Sequence, residues 1–318
     1  MKILNVVTEH TLPFKTLFEV LKEMLTEANI VFKSSIKKKD DDEDVPEESD
    51  KKSEKNTKEE DCMEITALDP TKTILIRVKL NGSDFSTWEC KKNKLVFGIN
   101  LGYFYKILKS MDKNAILSMS MDHDTKNCLK ISMENQNEKK TKTWDFKLLD
   151  LDESKINIPK IDFDAMITMD SQEFNRLCKE MSGFADYVEI TCLHNKLIFQ
   201  CKGDYANCKT VYGTADSEDD ETENILVSIS HASTQSKNSN APQIVQGIFE
   251  LKKLVLFSKC ATLCNEIEIY MKNDFPLVIK YTIATLGKVL LCLTPIKEDT
   301  TKNATYSDED EYYSDDDN

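Results

Sequence analysis

The chain has 318 residues and a formal net charge of −14, and 40% of its residues are hydrophobic. That hydrophobic share supports a sizeable core, so a wholly disordered protein is excluded. The sequence has no apolar run of about 18 residues, the length of a membrane-spanning helix, so we expect no membrane contact. The N-terminal apolar stretch is short and interrupted by polar residues, which argues against a secretory signal.

Acidic residues are concentrated in three segments. Residues 36–62, 214–224 and 298–318 carry net charges of −5, −6 and −8, so the rest of the chain carries +5. Acidic runs of low hydrophobicity bury too little apolar surface to offset the entropy lost on ordering. We therefore expect a mildly basic globular body with solvated acidic insertions and an acidic tail.

Four segments have the apolar spacing of amphipathic helices. In chain order they are LPFKTLFEVLKEMLTEA, LGYFYKILKSM, SQEFNRLCKEM and IFELKKLVLFSKCATL. Ser171 is expected to cap the third helix. Between the helices, apolar and polar residues alternate as in half-buried strands, for example in TILIRVKL, ILSMSM, YVEITC and EIEIYM. Polar residues at 80–83 and 193–196 predict hairpins.

The order of these elements repeats. Residues 11–148 and residues 164–295 both read as helix, strands, helix, strands. This predicts an internal duplication with a period of about 150 residues, in which each copy is an α+β domain with antiparallel sheet.

The sequence carries no recognisable catalytic or cofactor motif. It lacks Gly-rich phosphate loops and a nucleophile elbow, and its ten cysteines show no C-x-x-C pairs, so we interpret them as reduced thiols of an intracellular protein. Asp122-His123-Asp124 reads as a solvated turn in preference to a metal site, and Cys260 with Cys264 reads as a core pair. The prediction is a protein without catalytic residues, metal or cofactor, and not an enzyme.

Each predicted helix carries two basic residues away from its apolar face. A solvated surface explains one such pair, but four pairs in a chain whose acids lie in loops and tail favour a binding surface for phosphates. A basic surface of this kind binds nucleic acid independently of its base sequence. The residues are Lys15, Lys22, Lys106, Lys109, Arg176, Lys179, Lys252 and Lys259.

Six strings resemble, in order over residues 11–299, the proliferating cell nuclear antigen family of DNA sliding clamps. They are LPFKTLFEVLKEMLTEANI, TALDPTKTILIRVKL, FGINLGYFYKILKSM, FKLLDLDESKINIPKIDF, SQEFNRLCKEM and FPLVIKYTIATLGKVLLCLTPIKED. The resemblance implies an α+β fold of two duplicated clamp domains in a ring of three subunits. The ring would encircle duplex DNA, with helices lining its central hole and antiparallel sheets on the outside.

The domain boundaries expected on this basis are an N-terminal clamp domain at 1–148 with the acidic insert 36–62, and an interdomain connector at 149–163. A C-terminal clamp domain at 164–297 and an acidic disordered tail at 298–318 follow. The eight basic residues above match the hole-lining positions of the family.

Two protein-contact sites are also implied by the resemblance. The first is a groove beside the connector for a peptide with a glutamine and hydrophobic or aromatic anchors. Its matching residues here are Leu68, Leu75, Ile156, Ile158, Pro159, Phe163, Pro276 and Pro295. The second is a subunit contact between the edge strands 141–148 and 203–212, with Trp144, Tyr205 and Cys208 as its residues.

The expected partners are double-stranded DNA, bound without sequence specificity, a DNA polymerase and other proteins with clamp-binding motifs, a clamp loader, and two further copies of the chain. Expected locations are the nucleus, or a cytoplasmic viral replication site for a viral chain. Two alternatives stay open: a subunit of a heterotrimeric or monomeric clamp-like processivity factor, and an acidic scaffold that binds basic proteins through its acidic runs.

Overall fold

The computed structural model of the protein describes residues 1–35, 60–112, 114–125, 127–153, 156, 159, 161–193, 196–213, 227–231 and 244–296. Residues 36–59 of the acidic insert, the 214–224 run and the tail therefore lie outside the described residues, as does Ile158 of the expected groove.

Within the described part of the first half there are nine strands and two helices. They are β1 (Lys2–Thr8), α1 (Thr11–Met24), β2 (Glu27–Lys33), β3 (Cys62–Leu68), β4 (Ile74–Asn81), β5 (Thr87–Cys90), β6 (Lys94–Asn100), α2 (Leu101–Lys109), β7 (Ile116–Asp122), β8 (Cys128–Asn135) and β9 (Lys140–Lys147).

The second half has the same order of elements. They are β10 (Ala165–Asp170), α3 (Ser171–Met181), β11 (Tyr187–Leu193), β12 (Lys196–Lys202), β13 (Asn207–Gly213), β14 (Val227–His231), β15 (Ile244–Glu250), α4 (Leu251–Ser258), β16 (Glu266–Met271), β17 (Leu277–Ile283) and β18 (Gly287–Leu293). The predicted repetition of element order is thus confirmed, whereas the exact domain boundaries stay predictions.

The sheets repeat in the same way. In the first half, β5-β1-β7-β8-β9 form one sheet and β4-β3-β2-β6 form another; in the second half the equivalent sets are β14-β10-β16-β17-β18 and β13-β12-β11-β15. All pairings between these strands are antiparallel, as predicted. By this correspondence β18 is the equivalent of β9, and β4 is the equivalent of β13.

The two halves are joined by one strand from each, β18 of the second half and β4 of the first. Strand β18 pairs antiparallel with β4 over its whole length, from Gly287 opposite Leu80 to Leu293 opposite Ile74. The pairing merges a sheet from each half into one continuous sheet of nine strands. Strands β9 and β13 stay at sheet edges, with no partner strand beyond them among the described residues.

The core lies between the helices and the sheets because each element presents one apolar face. The alternation predicted for the strands is confirmed; in β4, for example, Ile74, Ile76 and Val78 are buried. Helix α1 buries Phe14 and Phe18, whose ring centroids lie 4.9 Å apart. No helix of the described residues is long and apolar enough to cross a membrane.

Three local predictions are corrected by the structure. Helices α1, α2 and α4 are shorter than predicted: Leu25 after α1 is extended, and a 3-10 turn at Lys259–Thr262 follows α4. Asp170, not Ser171, caps α3, because its carboxylate accepts the N–H of Glu173 at 2.7 Å. The buried Ser171 hydroxyl donates to backbone carbonyls at Ala261 and Cys264 instead.

The predicted hairpin at 80–83 is also wrong. After β4 the chain makes a 3-10 turn at Gly82–Asp84, and β5 then pairs with β1 in the other sheet. The turn is fixed by the Gly82 N–H, which donates to the Asp61 carbonyl at 2.7 Å. At 193–196 the flanking strands β11 and β12 do pair antiparallel, with Leu193 opposite Lys196.

Candidate nucleic-acid interface

The four helices form one connected row. Helix α1 packs against α2, and α3 packs against α4; across the two halves, α1 contacts α4 and the 3-10 turn that follows it. The order in space is therefore α2, α1, α4, α3. This row is the side-by-side arrangement that a shared basic surface requires.

The eight basic residues predicted for DNA binding lie on this row, seven on the helices and Lys259 at the start of the 3-10 turn. Six are exposed, namely Lys106, Lys109, Arg176, Lys179, Lys252 and Lys259, whereas Lys15 and Lys22 are half-buried. The Lys22 ammonium lies 4.9 Å from the centroid of the Tyr105 ring, which explains its partial burial.

Carboxylates neutralise some of these residues. Arg176 pairs with Glu173 at 2.6 Å, Lys252 pairs with Asp186 at 3.0 Å, and both Lys22 and Lys259 reach Glu23. The hydrogen bond from Lys259 is the main cause that lowers the pKa of Glu23. Lys15, Lys106, Lys109 and Lys179 make no ion pair with any described residue. These four are the cations of the set most available to phosphates.

The two expected contact strands, 141–148 and 203–212, overlap β9 and β13, although β13 starts only at Asn207. Both are edge strands among the described residues. In β9 only Phe146 is buried, and β13 has no buried residue. Trp144 is 43% exposed, so it is not an internal core residue, and Tyr205, just before β13, is fully exposed; Cys208 is half-buried. Exposed edges with apolar side chains are prone to pair with another chain.

An apolar pocket of about 500 Å³ lies beside the β9 edge, between that strand and α2. Tyr103, Ile107, Trp144 and Phe146 line it, together with Lys106. Sequence reasoning placed Trp144 at this edge but missed the pocket, because the aromatic residues come from elements far apart in the sequence.

A larger groove of about 930 Å³ lies between the connector and strands β2 and β3. Of the predicted groove residues, Leu68 and Ile156 line it. Leu75 lies directly opposite Leu68 in the β3–β4 register and is half-buried, and Pro276, Pro295 and Phe163 are half-buried at other places on or near the nine-stranded sheet. Pro159 is exposed.

The groove carries more charge than the sequence indicated. Lys33 pairs with Glu64 at 2.7 Å, and Lys94 pairs with Glu153 of the connector at 2.6 Å. Arg77 also lines the groove. These residues were missed because strand alternation identifies them only as outward-facing.

A buried carboxylate at the rim of the groove was missed as well. Asp69 is 4% exposed, and its carboxylate accepts the N–H groups of Thr73 and Ile74, each at 2.7 Å. Burial acts to raise the pKa of Asp69, but the hydrogen bonds from Thr71, Ile74 and Thr73 prevail and the pKa is lowered. Lys253 of α4 lies 3.5 Å from the same carboxylate.

The cysteines form no disulfide, and all ten are free thiols. Burial raises the pKa of Cys62, Cys192 and Cys292 to about 11, which keeps these thiols protonated and weakly reactive. Among the described residues, no three His, Cys, Asp or Glu side chains converge as metal ligands would.

The comparisons with known proteins agree with this architecture. Residues 52–156 match the N-terminal domain model of proliferating cell nuclear antigen, and residues 157–296 match the C-terminal domain model. The chain is also 31% identical, over 308 residues, to a probable DNA polymerase sliding clamp of Acanthamoeba polyphaga mimivirus. That alignment covers 93% of this chain but 62% of the length of the viral protein.

A crystal structure of proliferating cellular nuclear antigen from Entamoeba histolytica has the same fold. It superposes with a TM-score of 0.73 at 19% identity, covering 93% of this chain and all of that chain. With both domain models matched in order over most of its length, the chain belongs to the proliferating cell nuclear antigen family.

Proposed function

We propose that the protein is a DNA sliding clamp, a ring of three copies that encircles duplex DNA and tethers a DNA polymerase. The observation that carries this proposal is the repeated strand order. Within the chain, β18 of the second half pairs with β4 of the first half. Their equivalents are edge strands: β9 ends the five-stranded sheet, and β13 ends the four-stranded sheet. Neither has a partner strand on its outer side among the described residues.

The same pairing between chains would join β9 of one copy to β13 of the next. Such a head-to-tail contact forms a closed ring when the successive rotations from one copy to the next lead back to the first copy. It would also place α2 of one copy beside α3 of the next, because their equivalents α4 and α1 touch within the chain. The helix row would then continue around the ring.

The ring explains how a protein without base-reading residues holds DNA. Ammonium and guanidinium groups on the inner helices would attract phosphates, and such contacts are weak, independent of sequence and exchanged easily. The closed ring would prevent escape while the loose contacts allow sliding. The protein would act as a scaffold and not as an enzyme, and a clamp loader would open it.

The groove at Leu68 and Ile156 is the proposed site for the polymerase and other partners. It lies against the connector on the side of the sheets opposite the helices, so a partner bound there would not obstruct the DNA. Apolar side chains with a charged rim suit a short peptide that inserts hydrophobic or aromatic anchors.

The experiment that tests the ring is the solution mass by light scattering after size exclusion. We expect a species near three times the 36.5 kDa of the chain. A chain that stays monomeric at micromolar concentration contradicts the homotrimer and leaves the heterotrimeric or monomeric clamp-like factor and the acidic scaffold.

The acidic scaffold makes a different prediction from the clamp. A scaffold would lose its partners when the acidic segments 36–62, 214–224 and 298–318 are removed, whereas the clamp would lose DNA retention when Lys106 and Lys109 are replaced by alanine. Replacement of Lys91 and Lys92, exposed lysines outside the helix row, is the matched control.

A further inference from the structure

Two lysines lie directly opposite each other where the two halves of the chain join. In the β18–β4 register, Lys288 faces Lys79. The strands are held close here by Gly287, whose φ is 154° and at which a Cβ would lie 2.1 Å from the Lys79 carbonyl oxygen. Like charges directly opposite in a sheet are destabilising. A negative partner would offset this repulsion.

Two more basic residues flank the pair on the same outward-facing side. Arg77 lies opposite Leu290 of β18, and Leu290 lies opposite Lys280 of β17. This side faces outward, because in β4 and β18 the residues that alternate with those of the patch are the buried ones. We call Arg77, Lys79, Lys280 and Lys288 the outer patch.

The outer patch is only partly neutralised by the described residues. Lys79 pairs with Glu60 at 3.0 Å, and Lys280 pairs with Glu268 at 2.7 Å. Neither Arg77 nor Lys288 makes an ion pair with a described residue. At longer range Arg77 attracts Glu64 and Lys288 attracts Glu268, but these two carboxylates already pair directly with Lys33 and Lys280. Arg77 and Lys288 can therefore each take a further carboxylate, and an arginine presents donors suited to one.

The acidic tail follows β18 at the end of the strand away from Lys288. Strand β18, which carries Lys288, leads directly to the last described residues, where the Thr294 N–H donates to the Thr73 carbonyl and the Ile296 N–H donates to the Ile248 carbonyl. Residues 298–318 contain nine acids and one lysine. At about 3.3 Å per extended residue, a chain returning from Ile296 reaches the level of Lys288 in about eight residues. The acids at 308–311 lie farther along the tail than this, so the chain is long enough for them to reach the outer patch.

We propose that the acidic tail folds back along the outer face of the nine-stranded sheet and binds the outer patch of its own chain. Its carboxylates pair with Arg77 and Lys288. The docking itself does not depend on the proposed function. Its consequence does: Arg77 also lines the peptide groove, so a partner peptide and the tail compete at this residue.

Zero-length carbodiimide cross-linking of the full chain tests the proposal, since this reagent joins only carboxylates and amines already in contact. We expect cross-links from the tail to Lys79, Lys280 and Lys288, located by mass spectrometry. The double variant Arg77→Gln/Lys288→Gln should reduce the cross-links to Lys79 and Lys280 at least fivefold. The matched control Lys196→Gln/Lys202→Gln, on two exposed lysines of β12, should leave them unchanged.

Four results would overturn the proposal. The first is tail cross-links spread equally over all exposed lysines. The second is an equal effect of the two double variants, whose folding is checked by thermal melting. The third, from a mixture of isotopically labelled and unlabelled chains, is cross-links found only between different chains. The fourth is loss of duplex binding in the patch variant without any tail cross-link, which would show another occupant.

Discussion

The Nζ atom of Lys253 lies 3.5 Å from Oδ2 of Asp69, so a lysine of α4 in the second half reaches the β3–β4 turn of the first half. The lysine side chain is 18% exposed and the carboxylate 4%. The contact joins the halves on one side of the sheet junction, and Glu23 with Lys259 joins them at the helix row. The two domains are thus tied at both the groove and the helices.

We expect Asp69→Ala to lower the free energy of unfolding by about 3 kcal/mol, because it leaves the N–H groups of Thr73 and Ile74 without their buried acceptor. Lys253→Ala should cost about 1 kcal/mol, since the turn keeps its backbone hydrogen bonds. Urea unfolding measures both. The adjacent Lys252 is the control, because its ion pair with Asp186 is exposed and screened by solvent and should contribute little to stability. An equal loss of unfolding free energy in Lys252→Ala and Lys253→Ala would contradict a stabilising contact between Lys253 and Asp69.

The salt dependence of DNA binding tests the basic helix row. Lys106→Ala/Lys109→Ala should reduce the slope of log affinity against log salt by about 0.9 for each phosphate that these lysines neutralise in the parent protein. Fluorescence anisotropy with a linear duplex measures this slope over a salt series. The Lys91→Ala/Lys92→Ala variant should keep the slope of the parent protein. An unchanged slope in the helix variant would place the phosphates elsewhere.

Trp144 at the β9 edge should stabilise the contact between copies. Trp144→Ala is expected to weaken assembly by about 30-fold, the effect of removing about 2 kcal/mol at an aromatic anchor. Light scattering across a dilution series measures the shift toward monomer. Leu12→Ala, at a 72% exposed position on α1 away from both edges, is the matched control. Assembly that withstands the Trp144 change, or that is weakened equally in the control, would contradict β9 as a contact strand.

Leu68 is 41% exposed at the peptide groove, where a bound peptide would cover it. Leu68→Ala should weaken the binding of a peptide with a glutamine and aromatic anchors by about tenfold. Isothermal titration calorimetry gives the affinity. Ile244→Ala, at a 47% exposed position of β15 outside the groove, should have no effect. Equal affinities for all three proteins would move the peptide site away from Leu68.

Tyr281 is fully buried, and its hydroxyl has no hydrogen-bond partner among the described residues. Burial raises the pKa of this phenol well above its usual value, so the group stays neutral. We expect Tyr281→Phe to raise the free energy of unfolding by about 1 kcal/mol, because it removes an unsatisfied hydroxyl. Tyr270→Phe should be destabilising, since that hydroxyl donates to Glu268. A loss of stability in Tyr281→Phe would reveal a hidden partner.

The sequence predicted the elements well where periodicity was strong. The third helix was predicted at its observed bounds, and the four strings given as alternating strands lie in β4, β7, β11 and β16, because each of these segments has one clear apolar period. It failed at Ser171 and at the 80–83 turn. In both places the outcome depends on contacts with residues distant in sequence, at Ala261 and Asp61.

For the site, the sequence by itself determined the residue types: basic residues on four helices, acids confined to three segments, and two copies of one element order. Only the tertiary structure decided which of these meet. The pairing of β18 with β4 aligned the helices in one row and set Lys79 against Lys288, and it left β9 and β13 free. The physical reason is that periodicity fixes the face on which a side chain lies, whereas the partner of a strand is fixed by packing over the whole chain.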